Sequence, residues 1–71
     1  MAPKAGTCAL DNLKTERLSA GYQVDDLARL ANVSDNTIKQ LEDGGTAELN
    51  VCQRIADALA VSLATLGQRV M

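Results

Sequence analysis

Four polar side chains could do recognition chemistry from one short stretch: Asp35, Asn36, Lys39 and Gln40. Read at helical period, they fall outward while Ile38, Leu41 and Glu42 turn inward. Asn and Gln side chains can pair in two-pronged fashion with adenine, Lys suits guanine, and Asp can accept from cytosine N4. Asn36, Lys39 and Gln40 are the main candidates for reading bases, and Asp35 is a weaker one. The plain alternative is a merely solvated helix face.

Other chemistry is poorly supplied. The chain has no histidine, the usual general base near neutral pH. Its two cysteines, Cys8 and Cys52, lack further ligands at zinc-site spacing. Gly44-Gly45 does not fit a phosphate-binding loop after a strand. Asp25-Asp26 suits the positive start of a helix better than acid/base work. No enzymatic activity, cofactor, metal or small-molecule substrate is expected.

The elements that must hold the polar face lie between Val24 and Gly45. A short helix with Leu27, Ala28 and Ala31 on one face comes first. Asn32-Val33-Ser34 makes a tight turn, and Asn32 can close the helix because asparagine tolerates positive φ. Ser34 is a good N-cap for the second helix, and Asp35 favours its first turn. Gly44-Gly45 ends it. Two short helices so joined cross steeply, as in a helix-turn-helix, and the second becomes the candidate reader of a DNA major groove.

This stretch resembles the helix-turn-helix of the Cro and lambda-repressor family of phage and bacterial transcription factors. The resemblance rests on Ala28, on Val33 in the turn, and on Ile38 and Leu41 in the second helix. Asn32 stands where the family prefers glycine. Ile38 to Gly44 resembles the end of the family's recognition helix, and Ile55 to Ser62 its fourth helix and the start of its fifth. The likeness runs from about Leu10 to Leu66. It implies an all-α, compact five-helix domain over residues 1–71, most like a free-standing Cro repressor of a temperate phage. Base contacts are then implied at Asp35, Asn36 and Gln40. Phosphate contacts are implied at the second helix start, where Tyr22 and Gln23 could add hydrogen bonds, and in the loop at Gly45 and Thr46. Tyr22 fits a core-edge aromatic equally well, and Glu48 is unhelpful near an anion.

In chain order, Met1 to Gly6 reads as a flexible arm in which Lys4 could touch a phosphate or simply be solvated. Thr7 is a plausible N-cap for a first helix from Cys8 to Ala20, closed by Gly21, with Leu10, Leu13, Arg17 and Leu18 inward. Arg17 falls among apolar positions. In the family the matching arginine pairs with the recognition-helix glutamate, here Glu42, and a partly buried guanidinium needs such a carboxylate. The alternative is an arginine that snorkels to water. A fourth helix is expected from about Asn50 to Leu59, with Val51, Ile55, Ala58 and Leu59 inward. Ser62 caps a short fifth helix through Leu66, and residues 67–71 form a short tail.

Seventy-one residues suit one small domain. Hydrophobic residues make up 46%, nearly all aliphatic, which favours helices packed through alanine. No apolar run approaches the ~20 residues that cross a bilayer, and a cytoplasmic protein acting on DNA in a bacterial host is expected. In that setting the cysteines read as reduced packing residues. The net charge of −2 argues against nucleic-acid binding, which usually shows a basic domain.

Two functions compete. One is a sequence-specific regulator of double-stranded operator DNA. The other is a protein-interaction module of the same fold, antitoxin-like or regulator-binding, which the acidic charge favours. One recognition helix reads too few base pairs to single out a site, so a weak two-fold homodimer is expected. Its surface would come from Val61, Thr65, Leu66 and Val70, although Leu63 and Leu66 are, by analogy with the family, also candidates to finish the core.

Overall fold

The computed structural model describes residues 6–70, Val70 by its backbone alone. Chain order is β1 (Thr7–Leu10), α1 (Leu13–Ser19), α2 (Val24–Ala31), α3 (Asp35–Glu42), β2 (Ala47–Glu48), α4 (Leu49–Leu59) and β3 (Gln68–Val70). Among the described residues four helices therefore accompany a three-stranded antiparallel sheet of order β2-β1-β3. The expected all-α, five-helix domain is corrected on both counts.

The first correction lies at Thr7–Leu10, expected to open a helix. Cys8, Ala9 and Leu10 are each at most 1% exposed. β1 is the middle strand, pairing Cys8 with Ala47 on one side and Ala9 with Arg69 on the other. A strand covered on both faces shows a continuous apolar run, and over four residues that cannot be told from a buried helix start. Asp11 and Asn12 turn the chain, and α1 begins only at Leu13. Leu13 and Arg17 then face inward, but Leu18 is 58% exposed, against expectation.

The second correction lies at the other end. Ser62 does cap a turn, its Oγ accepting from the Thr65 N–H at 3.2 Å. That turn does not propagate. Gly67, at φ +73°, reverses the chain, and Gln68–Val70 becomes β3 where a tail was expected. The Asn12 N–H donates to Leu66 O at 2.8 Å, tying this turn to the β1–α1 corner. Leu66 itself is fully buried. Of the expected arm, residues 1–5, including Lys4, lie outside the described residues; Gly6 O accepts from the Leu49 N–H at 3.0 Å.

Helices α2, α3 and α4 close around Leu27, Ile38, Leu41 and Ile55, each at most 2% exposed. Asn32 closes α2 in the left-handed conformation at φ 58°, and Ala60 closes α4 at φ 57°. Cys8 in β1 and Cys52 in α4 are fully buried and joined by a disulfide, which replaces the expected reduced pair. Placing Cys8 in the central strand, over the inner face of α4, brings the two sulfurs together. No helix among the described residues is long and apolar enough to cross a membrane.

Candidate nucleic-acid interface

Helix α3 is oriented from both ends. At its start the Ser34 Oγ accepts from the Thr37 N–H at 3.1 Å, satisfying one donor that the helix leaves free. Near its end Glu42 meets Arg17 of α1 in a two-pronged pair: Arg17 Nε donates to Oε2 at 2.6 Å and Nη2 to Oε1 at 3.1 Å. Arg17 Nη1 also donates to the Tyr22 carbonyl at 2.8 Å. The two side chains are 7% and 11% exposed. Hydrogen bonding to Glu42 raises the Arg17 pKa above its ordinary value, burial opposes this, and the carboxylate charge adds to the rise. One fork thus fixes α1, the entry to α2 and the end of α3.

Between these anchors α3 buries Ile38 and Leu41. Asp35, Asn36, Lys39 and Gln40 are all exposed. Among the described residues Asp35, Asn36 and Lys39 have no side-chain partner, so their donors and acceptors stay open to a ligand. Gln40 differs: its Nε2 donates to the Thr46 carbonyl at 3.3 Å.

The residues expected at phosphates are less free. The Gly45 N–H donates to Gln40 O at 2.8 Å, so it has no donor left for an anion. Thr46 is half-buried, and its carbonyl is the acceptor for Gln40. Tyr22 is half-buried against the core. Gln23 is exposed at the start of α2, but its N–H donates to Asp26 Oδ2 at 3.0 Å. The chain's own carboxylate thus sits where an anion would approach, and sequence reading misses this because Asp26 looks there like any helix-start acid. Arg29 answers it, donating to Asp26 Oδ1 at 3.0 Å.

Charge placement follows from these pairs. Arg17, Arg29 and Arg69 each bind a carboxylate of the chain, Arg69 through Asp11 at 2.7 Å. Among the described residues Lys14, Lys39 and Arg54 form no ion pair. Lys39 is the only one of these three on α3, where it shares the outer surface with the Asp35 carboxylate.

The surface expected to form a dimer is partly internal. Leu66 is removed from it by full burial in the hydrophobic core cluster. Val61 is half-buried and Thr65 exposed; the Val70 side chain lies outside the described residues. β3, unforeseen from sequence, is an edge strand of the sheet, with one side unpaired among the described residues.

Residues 13–66 match the family model described as "Helix-turn-helix". No curated protein and no solved structure matches the chain.

Proposed function

The chain belongs to the helix-turn-helix family of DNA-binding regulatory domains, and on that premise we propose that it is a Cro-type repressor. It reads operator DNA by laying α3 in the major groove. The observation that carries this reading is the outer face of α3. Asp35, Asn36, Lys39 and Gln40 stand side by side on a helix only about 12 Å long, at ~1.5 Å per residue. Three of the four have no side-chain partner among the described residues. A helix braced at both ends with its polar groups left open is suited to read base edges, because the ligand need not pay for ordering it.

The scarcity of free cations shapes how it binds. With so few unpaired basic groups among the described residues, little of the affinity comes from phosphate neutralisation. Each neutralised phosphate contributes about −0.9 to the logarithmic salt slope, so a dimer should show only a shallow slope, on the order of −2 to −4. Specific contacts carry correspondingly more of the binding.

Two copies complete the site. The free side of β3 can pair with β3 of a second copy, satisfying backbone groups that the sheet leaves open, with Thr65 beside the seam. Three residues a side make a small interface, so the dimer is weak in solution and is completed on DNA.

Selection from random duplex DNA tests the reading. A two-fold symmetric consensus is expected, and Gln40→Ala should lose about 1–3 kcal/mol on that consensus and far less on random DNA. Failure to enrich any sequence would favour the protein-interaction reading, which Asp25, Asp26, Asp35 and Asp43 around the two helices support by their charge.

A further inference from the structure

The loop after α3 holds two adjacent glycines that do different work. Gly44 has φ +90°, and a Cβ there would meet nothing within 4 Å. It is needed for its backbone conformation. Gly45 is not in the left-handed region. Its constraint is space: a Cβ at this position would lie 2.7 Å from Gln40 Cγ and 2.8 Å from Gln40 O. The Gln40 stem therefore rests on the bare backbone of Gly45.

That seat fixes which way the Gln40 amide points. The Thr46 carbonyl can only accept, so the Gln40 amide must turn its NH2 end toward the loop. Its Oε1 then faces away from the loop, with no partner among the described residues. One Nε2 hydrogen goes to Thr46 and the other remains available.

We propose that Gly45 is a specificity-determining positioning residue: by seating Gln40 against Thr46, it presents an acceptor-led amide to one base pair. This rests on the reading of α3 as the major-groove element. The base it selects carries an exocyclic amine. Adenine fits best, because N6–H donates to Oε1 while N7 accepts the remaining Nε2 hydrogen. Cytosine offers N4–H alone. Guanine and thymine present carbonyl oxygens to Oε1 and are rejected. No covalent step is involved.

The test has a DNA arm and a DNA-free arm. In the first, wild type, Gly45→Ala, Gln40→Ala and the double variant are titrated against the selected consensus and against sites changed one base pair at a time. Wild type should prefer adenine at one position by roughly 10–100-fold. Gly45→Ala should bring that preference close to unity, leave the other positions discriminated, and match both Gln40→Ala and the double variant. Retained preference in Gly45→Ala would overturn the proposal, and so would a uniform loss at every position, which a merely structural glycine predicts. In the second arm, NMR of the free protein follows the two Gln40 side-chain amide protons. One should be hydrogen-bonded in wild type, and that signature should vanish in Gly45→Ala. Two equivalent, freely exchanging protons in wild type would overturn the proposal even if Gly45→Ala fails to fold. A seated Gln40 in a protein with no sequence preference would instead sink the major-groove reading, and the base-selection claim with it.

Discussion

Replacing Glu42 with leucine should come close to unfolding the protein, and replacing Arg17 as well should restore it. Arg17 makes three hydrogen bonds, two to Glu42 and one to the Tyr22 carbonyl, with its side chain 7% exposed. Glu42→Leu removes two of the three and leaves a guanidinium charge shut away from water. Stranding one member of a buried pair costs about 3–5 kcal/mol. A domain of this size has a total stability of roughly 4–11 kcal/mol, so Tm should fall by about 12–40 °C. Arg17→Met strands the Glu42 carboxylate and should cost a similar amount. In the double variant neither charge is stranded, and apolar side chains of similar volume can be nearly neutral. Thermal melts of the four proteins complete the cycle. Additive losses, with the double variant worst, would refute the reasoning. The pH dependence has a definite sign. The folded-state pKa of Arg17 lies above its unfolded value. Its contribution is therefore fully present below the unfolded pKa and is lost only as pH rises through the folded one. The Tm difference between wild type and the double variant should not change because of Arg17 between pH 7 and about pH 10.

Two further outcomes follow from the backbone and the cross-link. Ala60 closes α4 at φ 57°, a conformation that costs a residue with a Cβ about 1–2 kcal/mol, so Ala60→Gly should raise the urea midpoint by a net ~0.5–1 kcal/mol equivalent; a lower midpoint would count against it. The Cys8–Cys52 disulfide spans a sequence separation of 44, for which loop entropy gives about 4 kcal/mol, so reduction with dithiothreitol should lower the midpoint by that order. Identical unfolding curves with and without reductant would rule out a stabilising cross-link.

The helix-turn-helix is legible in the sequence because each of its signals is local. Ser34 caps from within the turn, Asn32 can take positive φ, and Leu27, Ala28 and Ile38 mark the inner faces. The sheet is not legible, because each of its strands is short and is stabilised from far away. Thr7–Leu10 becomes a strand only when Ala47 and Arg69 arrive beside it. Leu18 is expected on the inner stripe, but as the fifth residue after Leu13 it stands roughly 140° around a helix of ~3.6 residues per turn, off the buried Leu13–Arg17 line and facing water. At the candidate site, the exposed set on α3 follows from periodicity alone. Gly45 shows the limit. A glycine in sequence does not reveal whether it is there for its torsions, its N–H or its missing Cβ, and here the missing Cβ decides.

The placement of β1 between β2 and β3 also has a consequence in time. The central strand is the first described segment to leave the ribosome, yet its pairing with β3 must wait until Gln68–Val70 has been made. The helices from α2 to α4 contact neighbours close in sequence and can assemble early, whereas the sheet closes over the longest loop in the chain. Closing it belongs on the native side of the folding barrier. Gly67→Ala, which strains the turn into β3 and crowds Asn12 at 3.1 Å, should therefore speed unfolding and leave the folding rate nearly unchanged in stopped-flow experiments. A slowed folding limb would place the two ends of the chain in the nucleus instead.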